Sequence, residues 1–304
     1  MNSRRHPAFP RLLLCLGLIS ALIASYFTFG AAPSRAAGRS EVSYEYGSHE
    51  RQQLKAYWHA KNATQPGIVI LHGGYWYEDS GWATWSRTFS DAGYAVFDVD
   101  YRLNFDAPWP AQRDDALSAI SWIKQRAASF DLDPDRIVVL GSSAGGHIAT
   151  AVATYGAGAS RVRGVVGLSP VASPYRAWVD GNAAGSTAKE KKVRDNATIL
   201  ARCFPDSADT DTSMHPSCWD TWRDMVTKNR ASGADDAPMY LLHSEDDFVP
   251  AAHSTDLEAA EEAKGMPDAD VTTEILPGSA HGGGLLDEAG VPAEVLGWIG
   301  ARTR

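Results

Sequence analysis

The sequence predicts an α/β domain built on a mostly parallel sheet with helices on both faces, and three observations carry that prediction. Eight strand-like runs recur along the chain, most of them separated by helix-length stretches, and such alternation calls for crossovers and parallel pairing. Several runs, Ile68–Leu71 and Ile137–Leu140 among them, are apolar without interruption, as suits strands covered on both faces. The 304 residues, 44% hydrophobic and 21% charged, are ample for one large domain.

In order, Val42–Tyr46 and Gln53–Trp58 alternate and predict an edge hairpin. Gly67–His72 is a buried strand and Ala95–Tyr101 the next. Ala111–Phe130 places Ala116, Ile120, Ile123 and Ala127 on one helical face. Asp131–Asp135 reads as a turn leading into Ile137–Leu140, and Val162–Leu168, Met239–His243 and Val271–Leu276 complete the strands. Ser169–Pro238 is too long for a simple crossover. It holds Val193, Ala197, Leu200 and Phe204 at helical spacing, and Lys189–Lys192 as a solvated helix face. The stretch at about 173–236 is expected to cap the strand ends.

Residues 1–36 differ in kind. Arg4, Arg5 and Arg11 precede an apolar run from Leu12 to Phe29, and small residues follow through Ala36. This is the layout of a secretory signal, cleaved after Ala32 or Ala36, with an uncleaved membrane anchor as the competing reading. Removing the segment's four arginines takes the net charge from −9 to −13, and leaves an exported domain, 37–304, without stable membrane association. No long basic stretch is present to neutralise phosphates, which argues against nucleic-acid binding. Beyond Cys15 of the leader, Cys203 and Cys218 form an even pair, fifteen residues apart, that reads as a disulfide in an exported chain. No third cysteine or histidine cluster supports zinc, so neither a metal nor an organic cofactor is expected.

Chemistry concentrates after the strands. Gly141-Ser142-Ser143-Ala144-Gly145 is G-x-S-x-G between a buried strand and an Ala-rich helical pattern, a turn sharp enough to push the Ser143 hydroxyl above the strand ends. A serine needs a base, a group to hold that base, and donors for an oxyanion. His281, in a glycine-rich loop after the last strand, is the candidate base. His147, one turn into the helix after Ser143, is expected to be structural. Glu245, Asp246 and Asp247 are equally placed as the acid, and residue chemistry does not choose among them. His72-Gly73-Gly74-Tyr75-Trp76 offers the Gly73 and Gly74 N–H groups, to join that of Ala144 in an oxyanion hole. The order serine, acid, histidine is that of α/β-hydrolases.

Taken with Asp100-Tyr101-Arg102-Leu103 and Asp133-Pro134-Asp135-Arg136-Ile137, these motifs make the chain resemble α/β-hydrolases of the carboxylesterase and lipase group with an HGG-x-W loop. It is similar to bacterial feruloyl- and acetyl-esterase-like hydrolases and to kynurenine formamidases over roughly residues 50–300. The resemblance implies an eight-stranded α/β-hydrolase sheet with a small cap. It also selects Asp246 as the acid, through the pattern D-x-x-V-P ending in Val249-Pro250. It implies a serine ester hydrolase acting on a small-molecule or polysaccharide-linked ester; the leader makes it a secreted one, and the dense aromatics after the oxyanion loop place Tyr75 and Trp76 in the substrate pocket. Two rivals stand beside it: an arylformamidase acting on N-formylkynurenine-type amides, and a hydrolase-fold binding protein without turnover. Acyl and alcohol specificity and oligomeric state are not legible.

Overall fold

In the computed structural model, which describes residues 38–205 and 216–304, the chain opens on the antiparallel edge hairpin. β1 (Ser40–Glu45) pairs with β2 (Gln53–Trp58) from Ser40↔Trp58 to Glu45↔Gln53. There follow β3 (Gln65–Leu71), α1 (Ala83–Asp91), β4 (Ala95–Val99), α2 (Ala111–Gln125), β5 (Leu132–Ser142), α3 (Ala144–Thr154), α4 (Gly158–Arg161) and β6 (Gly164–Leu168). Next come α5 (Pro174–Asn182), α6 (Ala188–Ala201), α7 (Pro216–Met225), β7 (Met239–Ser244), α8 (Ala252–Glu262), β8 (Val271–Leu276) and α9 (Val291–Arg302). The sheet order is β1-β2-β4-β3-β5-β6-β7-β8, with β2 antiparallel to β4 and every later pairing parallel. Ala37–Arg304 is one compact unit. The expected leader, with Cys15, lies outside the described residues. Among those described, no helix is long and apolar enough to cross a membrane.

Strand periodicity accounts for the two cores. Successive side chains point to opposite faces. Val69, Leu71, Phe97 and Val139 therefore join the cluster that contains α2 and α3, while Ile68, Ile70, Val96 and Val138 join α1 and α9. Every residue of α3 is buried, which explains its Ala-rich, low-polarity sequence. The predicted face is buried at Ala116, Ile120 and Ile123 of α2 and at Ala127, but α2 ends at Gln125 rather than running to Phe130, and Ala127–Phe130 form a separate 3₁₀ turn.

Three further local expectations are corrected. The stretch Asp131–Asp135 is not a turn alone: β5 starts at Leu132, which pairs with Gln65 before a register shift at Gln65/Gly67. Phe204 does not continue the buried stripe of α6. The helix ends at Ala201, with Arg202 left-handed, and Phe204 is 69% exposed. Nor is Lys189–Lys192 merely a solvated face. Glu190 closes a capping box with Thr187, Lys192 pairs with Glu78 at 3.0 Å and lies over the Tyr75 ring, and Lys189 lies over Phe248.

The β6–β7 connection thus supplies α5, α6 and α7. Cys203 and Cys218 are joined in a disulfide, closing a loop worth about 3 kcal/mol in the chain-entropy model. The segment is tied to the β4–α2 loop by the Asn104 and Asn196 side chains and by Trp109 N–H donating to Leu200 C=O. Asp224 of α7 accepts from Trp109 Nε1 and Arg113.

Candidate active site

The sharpest backbone feature stands at the junction of β5 and α3. Ser143 has φ 53° and ψ −114°, a conformation that costs a non-glycine residue on the order of 1–3 kcal/mol. The surrounding packing holds it. Ser143 N–H donates to Leu168 C=O, and its own C=O accepts from His147 and Val171. Crowding dictates small residues on either side: a Cβ at Gly145 would lie 2.1 Å from the Leu71 carbonyl oxygen and 2.3 Å from that of His72. Ala144 opens the helix, so its N–H has no intrahelical acceptor.

His281 follows β8, where the sequence placed it. Its Nδ1 stands 2.8 Å and 3.0 Å from the two carboxylate oxygens of Asp247. Asp247, not Asp246, therefore holds the histidine, and the expectation of Asp246 is overturned. The cause is the turn after β7. Glu245 and Asp246 are exposed there, and their N–H groups donate to Leu276 and Gly278 C=O. Asp247 turns inward, its Oδ1 accepting from Val249 N–H at 3.0 Å as well. His243, which the sequence reading left without a role, braces this turn from beneath. Its ring nitrogens contact Val249 C=O and Ser254 Oγ, and burial lowers its pKa to about 4.

Two further serines, also missed, tie the histidine loop to the Ser143 turn. Ser142 Oγ accepts from Gly283 N–H at 3.0 Å, and Ser169 Oγ accepts from Gly282 N–H at 2.9 Å. Ser244 Oγ donates to Ala280 C=O. Single serines at the ends of β5, β6 and β7 carry no distinguishing mark in sequence; only the fold shows that each reaches across to the loop after β8. Phe248 packs on the His281 ring, centroids 4.1 Å apart, and stacks on Tyr75.

Ser142, Ser143, His281, Gly73 and Gly74 line one cleft of about 370 Å³, with Tyr75, Trp82 and Trp85 on its walls. Gly73 abuts Ser143: a Cβ there would lie 3.3 Å from that of Ser143. Gly74 has φ 109°, and a Cβ would meet the Glu78 carbonyl, so the turn requires glycine. Trp76 is not in the pocket. It is fully buried, edge-on to His147, because Tyr75 and Trp76 both take left-handed φ and fold the second ring inward. His147 is structural, as expected. Its Nε2 donates to Met225 C=O, and burial lowers its pKa to about 3.

Comparison with known proteins finds esterases and α/β hydrolases. The family model described as BD-FAE matches residues 54–195. Carboxylesterase NlhH of Mycobacterium tuberculosis is 37% identical over 97 residues, which cover 29% of this chain and 28% of that protein. Versiconal hemiacetal acetate esterase of Dothistroma septosporum is 34% identical over 107 residues, covering 34% and 31%. The matches span under a third of the length of these curated relatives. Among solved structures, esterase B from Lactobacillus rhamnosis superimposes with a TM-score of 0.68 at 22% identity, over 87% of this chain and 86% of that one. A truncated carbohydrate esterase from gut microbiota gives 0.71 at 19% identity, over 90% and 98%. MGS-M1, an alpha/beta hydrolase enzyme from a deep-sea metagenome library, gives 0.61 over 88% and 98%, at 20% identity. This chain has the α/β-hydrolase fold, and part of its length is related to carboxylesterases.

Proposed function

We propose that the chain is a serine carboxylic-ester hydrolase. The observation that carries the reading is the strained Ser143 turn, opening into the same cleft as a histidine whose other face rests on the buried Asp247. Asp247 holds the Nδ1–H tautomer, leaving Nε2 free to accept a proton. Ser143 Oγ attacks the ester carbonyl, His281 takes its proton and returns it to the leaving alcohol, and Asp247 stabilises the imidazolium. The N–H groups of Gly73, Gly74 and Ala144 take the tetrahedral oxyanion. Water then attacks the acyl-enzyme by the same route, releasing the acid and restoring the serine.

The aromatic walls of Tyr75, Trp82 and Trp85, with Phe248 beside the histidine, favour an ester with an apolar or sugar face to stack. Small acyl esters and esters on carbohydrates are thus the substrate class, and an exported location, with residues 1–36 as the signal, suits it. Purified protein offered short p-nitrophenyl esters, acetylated and feruloylated polysaccharides, and N-formylkynurenine tests the reading. The expected result is ester turnover, covalent labelling of Ser143 by a fluorophosphonate, and loss of at least about 10³-fold in kcat in Ser143→Ala. A dominant preference for the formamide would move the chain to amide hydrolysis. Absence of labelling in folded protein would leave a binding protein on a hydrolase fold.

A further inference from the structure

Behind the Gly73–Gly74 turn lies a second polar constellation that ester hydrolysis does not use. His72 follows β3 directly and is completely buried. Its Nδ1 lies 2.7 Å from the Gly73 carbonyl oxygen. A carbonyl can only accept, so this nitrogen carries the proton, and in the neutral ring the lone pair is on Nε2. Nε2 is buried without a hydrogen-bond partner. It faces the carboxylate of Asp100 at 4.0 Å, a contact in which a lone pair meets an acceptor. The carboxylate of Asp79, half exposed, lies 3.8 Å from the same ring on its Nδ1 side. One donor atom from each of the three residues lies within 4.8 Å of the others. Tyr101 stacks flat on the imidazole, centroids 4.3 Å apart, and donates its hydroxyl proton to His72 C=O.

The geometry points to a divalent transition-metal site of the Zn²⁺ or Mn²⁺ type, held by His72 Nε2 and the carboxylates of Asp79 and Asp100. A cation between Nε2 and Asp100 turns the contact of lone pair and carboxylate into an attractive one and offsets the like charges of Asp79 and Asp100. The rest of the histidine is already arranged as a ligand. Metal-binding imidazoles characteristically donate their other N–H to a backbone carbonyl or carboxylate, and Gly73 C=O is that acceptor. One imidazole with two carboxylates suits Zn²⁺ or Mn²⁺ rather than Ca²⁺ or Mg²⁺, which take all-oxygen sets. Bonds of about 2.0–2.2 Å require both carboxylates to close in on Nε2, and the exposure of Asp79 leaves room for that and for water in the remaining positions.

The site has a consequence for its neighbour. The Gly73 carbonyl and the Gly74 N–H belong to one planar peptide, so His72 Nδ1–H, by fixing the carbonyl, aims that N–H. A cation on Nε2 strengthens Nδ1–H as a donor and staples Asp79, beyond the turn, to the end of β4. This inference does not depend on the ester-hydrolase reading, because binding is read without turnover.

The test is calorimetric titration of chelator-treated full-length protein with ZnCl₂, MnCl₂, CaCl₂ and MgCl₂, with thermal unfolding in parallel. The expected result is one saturable Zn²⁺ or Mn²⁺ site per chain, with a raised Tm. Asp79→Asn and Asp100→Asn should each weaken binding by about 10–100-fold, and the double variant should abolish it. His59→Gln, which alters the exposed His59–Asp91 pair, should leave it unchanged. Asp79, being half exposed, can be replaced without disturbing the core, so its variant keeps the test open if Asp100→Asn fails to fold. No saturation by either metal below about 1 mM, binding undiminished in Asp79→Asn, or saturation by Ca²⁺ or Mg²⁺ alone would each overturn the proposal.

Discussion

Replacing Asp247 by Asn, beside the same change at Asp246, separates the two acids that lie next to one another in the chain. Asp247 is buried, and its Oδ1 serves both His281 Nδ1 and Val249 N–H. Asparagine can keep Oδ1 on both donors, but its amide then occupies the site of Oδ2, 3.0 Å from Nδ1, and the negative charge beside the imidazolium is gone. If it turns the other way, the amide N–H₂ faces Nδ1 and forces the proton onto Nε2, so the histidine can no longer accept from Ser143. Either outcome removes stabilisation that exists only in the transition state. The expected loss in kcat is about 10³–10⁴-fold, or about 4–5.5 kcal/mol, with KM nearly unchanged. Asp246→Asn, at an exposed position outside the cleft, should stay within about threefold of wild type. The assay is p-nitrophenyl acetate hydrolysis normalised to fluorophosphonate-titratable serine, with Tm measured on each variant. Comparable losses in both variants, or a larger one in Asp246→Asn, would refute the assignment.

Three other perturbations have worked outcomes. Glu261 is fully buried beside Asp236, and burial, then the Asp236 charge, raises its pKa from 4.5 to about 8. The folded protein therefore keeps a proton that the unfolded chain releases: stability is full below about pH 4.5 and falls by up to about 1.4 kcal/mol per pH unit until about pH 8. Glu261→Gln should remove this slope, so that its Tm advantage over wild type grows between pH 5 and pH 8; parallel Tm curves would count against the reading. Gly145→Ala drives a methyl group into the Leu71 and His72 carbonyls and should cost at least about 3 kcal/mol, seen as an early denaturant midpoint or insoluble protein. Replacing Cys203 and Cys218 together by Ser should lower stability by about 2–4 kcal/mol, with wild type in reductant matching the variant in chemical denaturation.

The fold was largely legible because its signals are local and repeated. Apolar runs mark β3, β5, β6 and β7, and G-x-S-x-G between strand and helix marks the turn that forces Ser143 to a positive φ. His281 was legible for a similar reason, alone in a glycine-rich loop after the last strand. The acid was not. Three consecutive carboxylates differ only in which one the turn aims inward, and that depends on Val249 N–H, a contact that composition does not encode. Trp76 shows the same limit, since the two left-handed residues that bury it are chemically ordinary. The roles of Ser142 and Ser169 depend on partners 141 and 113 residues away, beyond the reach of any local pattern.

The strand order carries a consequence for when chemistry becomes possible during synthesis. From β5 onward each new strand is laid on the outside of the previous one, β6, β7 and β8 in turn. The proposed nucleophile is therefore made in the middle of the sheet, and the proposed base arrives with the loop after the final edge strand. A chain emerging from its N-terminus holds Gly73 and Ser143 well before it has His281. On the proposed mechanism the half-made sheet is chemically silent, and docking of β8 is the step that arms it.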